Sequence, residues 1–240
     1  MRKYICYLLL TVAVCSACAS RKNEVDVIRL SDGSDLQIEF IKHGSLLLTY
    51  EGRHIYVDPT SLFADYSEYP TADVLLFTHD HEDHFDTLSV VRLRKNDTEV
   101  VGNESVIQTL GLGKSMKNGD CLSAMDGKIR IEAVPAYNTT PAHAGFHTKG
   151  RDNGYVLTIG GTSIYIAADT EAIPEMADLK SIDIAFIPAN QPYTMTVDQV
   201  VAAARMIKPK VLYPYHYGET DVQQLVGRLP EMEVRIRQMQ

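Results

Sequence analysis

The heptapeptide THDHEDH, residues 78–84, is the most informative stretch of this chain. It follows a short apolar run that is typical of a buried strand, and it contains three of the eight histidines in the sequence. In extended backbone His79 and His81 point the same way, because side chains alternate with a period of two. Asp83 and His84 follow at the point where the chain is expected to turn. Imidazole nitrogens and carboxylate oxygens are typical of a catalytic zinc or iron site rather than a calcium site.

Two further candidate ligands occupy similar positions elsewhere in the chain. Asp169 follows a predicted strand at 163–167, and His216 follows a predicted strand at 211–213. Ligands at neighbouring strand ends converge on one edge of a sheet and are held by rigid elements. An aspartate after a strand is also typical of a turn or a helix cap, so the set of residues carries more weight than either member. The carboxylates of Asp83 and Asp169, with Asp58 nearby, would repel one another at such short range unless cations were bound.

Four other residues are weaker candidates, each with two open interpretations. Asp58 either accepts a hydrogen bond from a ligand imidazole or belongs to a simple Asp-Pro turn. His43 lies in a turn that either lines the pocket or sits on the surface. His143 either contacts substrate or is a solvated loop residue. Tyr193 either borders the substrate pocket or packs beside Pro192.

These motifs together resemble those of the metallo-β-lactamase fold superfamily. The match rests on the His-x-His-x-Asp-His pattern at 79–84, and the resemblance extends over residues 36–216. The most similar branch is that of the ascorbate-phosphate-lactonase-like metal-dependent hydrolases. Further elements that resemble the family's motifs are Val57–Pro59, Tyr137–Asn138, Ala167–Thr170 (with Ala168 in place of the usual glycine), Pro192–Met195 and Pro214–Tyr217.

The resemblance implies an α/β (α+β) protein built as a four-layer αβ/βα sandwich with a dinuclear metal site. Asp169 would bridge the two metals. The third histidine of the first metal is open between His147 and His143; His147 is favoured because residues 146–150 resemble the branch's His-Pro-Lys-Gly run. The other implied ligands are His79 and His81 for the first metal, and Asp83, His84 and His216 for the second.

The implied activity is hydrolysis of an ester, lactone or phosphodiester bond in a small-molecule substrate. Two divalent ions, zinc in the first place and manganese or iron as further possibilities, would lower the pKa of a shared water from about 15.7 to near 7. Asp83 is the predicted catalytic residue, because it can orient the resulting hydroxide. The alternatives are a di-iron redox protein and a non-catalytic metal-binding module of the cell envelope on the same fold.

Composition restricts the partners. The chain has 240 residues, of which 45% are apolar and 22% charged, values typical of a globular domain. The formal charge of −8, without basic runs, disfavours nucleic acid as a partner. Oligomeric state is not predicted.

The first residues are typical of an export signal. Residues 1–19 combine two basic residues with an apolar run that is too short for a transmembrane helix and a stretch of small residues. Cys15–Cys18 resembles a bacterial lipobox, which predicts lipidation at Cys18; ordinary signal cleavage beside Ala19 is the alternative. The predicted location is therefore the bacterial cell envelope, as a lipoprotein or a periplasmic protein. Residues 20–35 are interpreted as a tether with a first strand edge, and 36–240 as the metallo-hydrolase domain.

Local patterns predict the principal elements of that domain. Hairpins are expected around Glu51-Gly52-Arg53 and across Gly160-Gly161. Helices are expected at 85–95, 105–110, 197–207 and 221–229. Cys121, the one cysteine beyond the signal, is expected to be a buried small hydrophobe.

Overall fold

The computed structural model describes residues 23–240. The predicted signal peptide at 1–19, the lipidation residue Cys18 and the first residues of the predicted tether lie outside the described residues. Within 23–240, no helix has the length and apolar character needed to cross a bilayer.

The first of two mixed sheets has seven strands that follow one another in space in the order of the chain. It contains β1 (Glu24–Arg29), β2 (Asp35–Lys42), β3 (Ser45–Tyr50), β4 (Arg53–Val57), β5 (Ala72–Leu76), β6 (Arg94–Gly102) and β7 (Lys114–Ser115). Strands β1 to β4 pair antiparallel, whereas β4 to β7 pair parallel.

The second sheet repeats this arrangement with the later part of the chain. It contains β8 (Cys121–Ala124), β9 (Ile129–Ala136), β10 (Asp152–Ile159), β11 (Thr162–Ile166), β12 (Ile184–Pro188), β13 (Val211–Tyr215) and β14 (Glu233–Val234). Again the first four strands pair antiparallel and the last four pair parallel. The repeat lies in the backbone topology, since the sequence shows no internal repeat.

Both predicted hairpins are confirmed, and backbone conformation explains their sequences. Glu51 and Gly52 between β3 and β4 have φ of 49° and 73°. Gly160 and Gly161 between β10 and β11 have φ of 53° and 73°. Two successive positive φ angles are typical of the turn whose twist matches that of the flanking strands.

Helices cover the outer faces of the sheets. They are α1 (Thr87–Leu93), α2 (Glu104–Leu110), α3 (Val197–Ile207) and α4 (Gln224–Arg228), with short 3₁₀ helices at Tyr66–Glu68 and Pro174–Asp178. Helix α3 has the predicted bounds, because Thr196 and Gln199 form a reciprocal capping box at its start. Helix α2 ends at Gly111, whose φ of 64° terminates it as predicted.

The sheets pack face to face around one large apolar core. The rings of Phe40 in the first sheet and Tyr213 in the second lie 5.1 Å apart. The same core includes Val200 and Ala204 of α3. A smaller core on the other face of the first sheet includes residues of α1 and α2. The predicted four-layer sandwich is therefore confirmed.

Residues 20–35, interpreted from the sequence as a tether with a first strand edge, contain the complete strand β1 from residue 24. Strand β1 pairs with β2 over its whole length, from Glu24 opposite Phe40 to Arg29 opposite Asp35. The sequence of β1 lacks the usual pattern of inward apolar and outward polar residues, because Val25 and Val27 face solvent while Asp26 faces inward. The inward carboxylate is matched by Arg237 of the C-terminal tail, at 2.7 Å.

Three local expectations also need correction. The predicted helix at 85–95 ends at Leu93, because the chain continues directly into β6. The predicted last helix at 221–229 covers only 224–228. Cys121 is exposed rather than buried, because it lies in the edge strand β8, where its Sγ is 2.9 Å from Arg130 Nη2.

Candidate metal centre

The candidate ligands come together at one edge of the sandwich. His79 follows β5, Asp169 follows β11 and His216 follows β13, and these strands belong to parallel regions of the two sheets. Carboxyl ends of parallel strands share an edge, so their following residues meet there. After His81 the chain turns tightly, since the backbone N–H of His84 donates to the His81 carbonyl at 2.9 Å.

Three imidazoles form what we call the first cluster, which contains His79, His81 and His147. One ring nitrogen from each lies within 4.8 Å of the others. His79 and His147 are buried, and His81 is partly exposed to the cavity above. Among the described residues, His143 joins no such group; its Nδ1 lies instead 3.3 Å from Glu171 Oε1. The structure thus places His147, and not His143, beside the paired histidines.

The second cluster contains His43, Asp83, His84 and His216, whose ligand atoms also lie within 4.8 Å of one another. Asp83 Oδ2 lies 3.1 Å from His43 Nε2 and 3.6 Å from His216 Nε2. The rings of His43 and His216 are in contact, with centroids 3.7 Å apart and an interplanar angle of 43°. His43, which the sequence left between pocket and surface, therefore contacts two candidate ligands directly.

Asp169 lies between the two clusters. Its Oδ2 is 3.4 Å from His147 Nε2 in the first cluster and 3.1 Å from His216 Nε2 in the second. Its Oδ1 is 3.4 Å from His84 Nε2. The carboxylate is almost completely buried. This is the position that a bridging ligand requires.

Asp58 orients two of the histidines from behind. It is fully buried, and it accepts hydrogen bonds from His84 Nδ1 at 2.8 Å and from the Thr78 hydroxyl at 2.6 Å. The Thr78 oxygen, whose own hydrogen is donated to Asp58, lies 2.9 Å from His79 Nδ1 and accepts a hydrogen bond from it. With Nδ1 donating in both rings, the Nε2 lone pairs of His79 and His84 point into the centre.

Asp152 orients the His147 ring in the same way as Asp58 orients His84. Its Oδ2 lies 3.2 Å from His147 Nδ1 and accepts from Arg151 Nη2 at 2.7 Å, while Oδ1 accepts from Arg151 Nε at 2.7 Å. Burial disfavours the charged carboxylate, but the bonds from His147 and Arg151 lower the pKa of Asp152 to about 2. The acid is therefore ionised and holds the His147 ring in place.

The charges of the centre differ between its two clusters. Burial lowers the pKa of His79 well below its usual value, which keeps a neutral imidazole in the first cluster. In the second cluster burial acts the same way on His216, but the Asp169 carboxylate outweighs it and raises the His216 pKa to about 9. Buried acids thus create a strong demand for positive charge at this end of the site.

Unpaired buried atoms show that the residues fit metal ions. In the described part of the chain, His79 Nε2, His84 Nε2 and Asp169 Oδ1 are buried without a hydrogen-bond partner, as is His216 Nε2. Buried polar atoms normally have partners, and these converge on one centre. Lone pairs of imidazole and carboxylate that meet in this way are suited to two divalent cations joined by Asp169.

The sequence reasoning gave no role to several residues that hold the site together. Thr78 immediately precedes the histidine motif at a strand end, and that position was an available signal. Asp152 and Glu171 had no such signal, because their sequence surroundings do not distinguish them from surface acids. Glu171 is buried and accepts from the backbone N–H groups of Thr139 and Thr140 at 2.9 and 2.8 Å, which fixes the start of the loop that carries His147.

A cavity of about 280 Å³ opens above Asp169 and the partly exposed side of both clusters. Tyr193 lines it and is 46% exposed. Phe146, to which the sequence gave no role, stands beside Tyr193 with ring centroids 5.1 Å apart. Tyr193, which the sequence left open between a pocket border and packing beside Pro192, lies in the lining of this cavity.

Fold and site together define a class: an αβ/βα sandwich with a paired His/Asp metal centre at its open edge. The model of the beta-lactamase superfamily domain family matches residues 37–216, three quarters of the chain. The chain therefore belongs to the metallo-β-lactamase fold superfamily, as the motifs predicted. The finer likeness to the ascorbate-phosphate-lactonase-like branch stays a prediction.

Individual relatives agree with this assignment. The chain is 27% identical over 198 residues to a UPF0173 metal-dependent hydrolase of Nanoarchaeum equitans, a match that covers 76% of this chain and 84% of the relative. A crystal structure from Parabacteroides distasonis, provisionally named a metal-dependent hydrolase, is 52% identical with a TM-score of 0.89 and covers 91% of this chain and all of that one. Igni18, a metallo hydrolase of Ignicoccus hospitalis, shares the fold at 23% identity, with a TM-score of 0.69 over 84% of this chain and 94% of that one.

Proposed function

We propose that this protein is a hydrolase that uses two divalent cations to cleave an ester, lactone or phosphodiester bond in a small molecule. The observation that carries the proposal is the burial of Asp169 between two clusters of imidazoles, within contact distance of both. Relatives that carry the name metal-dependent hydrolase support the same reading.

The division of ligands follows from the two clusters. His79, His81 and His147 would hold one cation, and Asp169 would contact both. Asp83, His84 and His216 would hold the other. When bound, such a pair lowers the pKa of a water to near 7 and polarises a carbonyl or phosphoryl oxygen. Zinc is the favoured metal, because a site made of imidazoles and carboxylates is typical of catalytic zinc.

Asp83 is the proposed catalytic residue. It lines the cavity with a side chain that is one third exposed, so it can reach substrate and water. Burial acts to raise its pKa, but the neighbouring imidazoles of His216 and His43 outweigh burial and hold the pKa well below its usual value. Asp83 is therefore ionised at neutral pH and can accept a hydrogen bond from the attacking water, which fixes the direction of attack.

The test combines metal analysis with turnover. Purified protein should contain close to two divalent ions per chain and should hydrolyse at least one member of an ester, lactone and phosphodiester panel. His81→Ala should lose most of the metal of the first cluster and most of the turnover. His54→Ala is the matched control, since His54 lies in β4 and belongs to none of the histidine groups in the described residues. Full metal content and full turnover in His81→Ala would contradict the proposal.

A di-iron redox protein is the second candidate. The first cluster disfavours it, because three imidazoles lie there in addition to the shared Asp169, whereas non-haem iron sites of the oxygen-using type combine two histidines with one carboxylate. An absorption spectrum of protein purified without chelators separates the two candidates: iron charge-transfer bands favour redox chemistry, and a featureless visible spectrum favours zinc. A non-catalytic envelope module is excluded by turnover of any member of the panel.

We also propose that the protein is exported and anchored to the envelope by lipidation of Cys18. The support is the lipobox-like sequence at 15–18 after a basic start and an apolar run. Mass spectrometry of the N-terminal peptide tests this proposal. A diacylated cysteine at position 18 is expected, and a peptide cleaved at another residue without lipid would contradict it.

A further inference from the structure

The walls of the cavity above the metal centre differ from its floor. The floor consists of candidate ligands, among them Asp83, His147 and Asp169. The wall is formed by Phe146 and Tyr193, with Glu82 as its one further member in the described residues. Polar atoms at the floor of a pocket fix the reacting bond, whereas apolar walls determine which side groups fit beside it.

Phe146 and Tyr193 form an aromatic pair that is open to the cavity. Their rings lie 5.1 Å apart at an interplanar angle of 64°, a favourable edge-to-face arrangement. Phe146 is 38% exposed and Tyr193 is 46% exposed. Two adjacent aromatic rings left in contact with water beside a catalytic centre provide apolar area that a ligand would remove from water.

The pair is held in place by side chains below it. Asn138, which is nearly buried, donates from Nδ2 to the backbone carbonyl of Tyr193 at 2.7 Å. Arg151 donates from Nη2 to the backbone carbonyl of Phe146 at 2.7 Å. The two loops that carry the rings are thus each anchored to the polar framework behind the first cluster, so the wall is formed before substrate arrives.

The wall of the cavity, as distinct from the floor where the cations would bind, provides no cationic side chain from residues 23–240 for an anionic group of the substrate. Among residues 23–240, no lysine or arginine lines it, and its one charged wall residue is Glu82. Arg151 lies nearby, but its Nε and Nη2 are already engaged by the Asp152 carboxylate. Phosphate groups in proteins are normally met by arginine, lysine or backbone N–H groups, so a phosphate on the substrate side group would find no such partner on this wall.

We propose that the Phe146–Tyr193 pair binds an aromatic or similarly flat apolar group of a neutral carboxylic ester, open-chain or cyclic, and selects such substrates over phosphorylated ones. This inference rests on the proposed hydrolase function and specifies its substrate class. In the reaction water adds its oxygen to the carbonyl carbon, the acyl C–O bond breaks and a proton passes to the leaving alkoxide. No further reactant is required.

Three matched substrates test the inference with metal-loaded protein. They are benzyl acetate, methyl acetate, and benzyl acetate with a phosphate on the para position of its ring. We expect kcat/KM for benzyl acetate to exceed that for either of the others by about tenfold or more, as expected for burial of one aromatic ring. Phe146→Ala and Tyr193→Ala should each remove most of this preference, measured as the ratio of kcat/KM for benzyl acetate to kcat/KM for methyl acetate. Tyr193→Phe should retain the preference, because it keeps the ring.

A binding measurement provides a readout that does not depend on turnover. N-benzylacetamide, a neutral and hydrolysis-resistant analogue of benzyl acetate, is titrated into the protein by calorimetry. Binding should weaken about tenfold in Phe146→Ala and Tyr193→Ala. Leu88→Ala is the matched control, because Leu88 is an exposed apolar residue of α1 outside the cavity lining, and its binding should equal that of the native chain.

The outcomes separate this inference from the proposed function. Equal kcat/KM for all three esters, or unchanged binding in both alanine variants, overturns the role of the pair even if hydrolysis itself is observed. Preference for the phosphorylated ester overturns the neutral-substrate assignment. Absence of hydrolysis together with pair-dependent binding of the amide overturns ester hydrolysis as the function but supports the aromatic wall as the ligand site.

Discussion

The two seven-stranded sheets share one topology but contribute to the metal centre in different ways. In each sheet four antiparallel strands are followed by parallel strands whose carboxyl ends reach the common edge. The first sheet delivers four potential ligands from one short loop after β5, at residues 79–84. The second delivers three ligands from three separate places: His147 from the loop between β9 and β10, Asp169 after β11 and His216 after β13. The two sheets therefore share a topology, but the ligands of the first lie close together in the sequence, whereas those of the second are far apart.

The turns after β4 and β11, which occupy equivalent places in the two sheets, make the difference concrete. Asp58 follows β4 with φ of 43°, and Ala168 follows β11 with φ of 60°. At both strand ends the backbone therefore leaves the sheet through a residue in the left-handed conformation. In the first sheet the aspartate at this turn lies behind the histidines and orients them. In the second sheet the aspartate, Asp169, lies inside the centre. A turn with positive φ thus positions an acid that orients histidines in the first sheet, and an acid that contacts both clusters in the second.

Asp169→Asn should cause the largest effect and tests whether the two halves form one centre. The change keeps the shape of the side chain and removes the charge that both clusters contact. We expect metal affinity and kcat/KM to fall by more than the roughly 10–100-fold typical for residues behind the ligands. Metal content by mass spectrometry and turnover on the best panel substrate measure this effect. Loss of metal from one cluster only, with the other intact, would show that the halves act independently.

Asp58→Asn and Asp152→Asn compare the supporting acids of the two halves. Asp58 orients His84 directly and His79 through Thr78, whereas Asp152 orients His147 alone. Each change should weaken metal binding within the range of about 10–100-fold, with Asp58→Asn the more damaging. Competition with a chelator of known affinity measures both variants. Equal losses, or a larger loss in Asp152→Asn, would contradict the difference inferred from the hydrogen bonds.

Asp26→Asn tests the contact between the halves away from the metal centre. Asp26 of β1 accepts from Tyr213 of β13 and from Arg237, at 2.5 and 2.7 Å. Burial opposes ionisation, but these partners lower the pKa of Asp26 below its usual 3.8. The stabilisation is therefore complete above pH 4 and disappears as the pH falls through the lowered pKa.

The measurement is urea unfolding of the native chain and of Asp26→Asn across a pH series. At pH 7 the variant should lose about 1–2 kcal/mol of unfolding free energy, a modest value because the group is only partly buried. The difference between the two proteins should shrink below pH 4. Asp35→Asn is the control, since the Arg29–Asp35 pair is exposed and should contribute less than about 0.5 kcal/mol. A difference that stays constant down to pH 2 would contradict the proposed charge effect.

Ala168→Gly should have the smallest effect and sharpens the comparison of the two turns. Ala168 is buried at φ of 60°, a conformation that is strained for alanine and free for glycine. Relief of strain offsets the greater entropy of glycine in the unfolded chain, so the unfolding free energy should change by less than about 1 kcal/mol. Ala167→Gly, at a neighbouring buried residue without positive φ, should cost more. Equal losses in the two variants would show that strain at residue 168 is unimportant.

Much of the fold was predictable because its signals are local. The Gly-rich turns fixed both hairpins, and the capping pair Thr196 and Gln199 fixed the bounds of α3. For β1 the sequence predicted only a strand edge within residues 20–35. Its full length was not predictable in the same way, because its inward Asp26 is acceptable only when Arg237, more than 200 residues away, lies opposite. The predicted helix at 85–95 was too long for a related reason: pairing of β6 with β5 outweighs local helical periodicity at Arg94.

For the site, the sequence by itself determined the chemistry of residues 78–84, because ligands that lie close along a strand end are close in space in any fold. It also indicated Asp169 and His216, through their positions after apolar strands. Only the tertiary structure decided that His147 rather than His143 joins the first cluster, that His43 contacts Asp83, and that Asp58 and Asp152 support the rings. These choices depend on which loops meet at one edge of two packed sheets. The contacts between these loops follow from strand order and from the packing of the sheets, and no local pattern of residues encodes them.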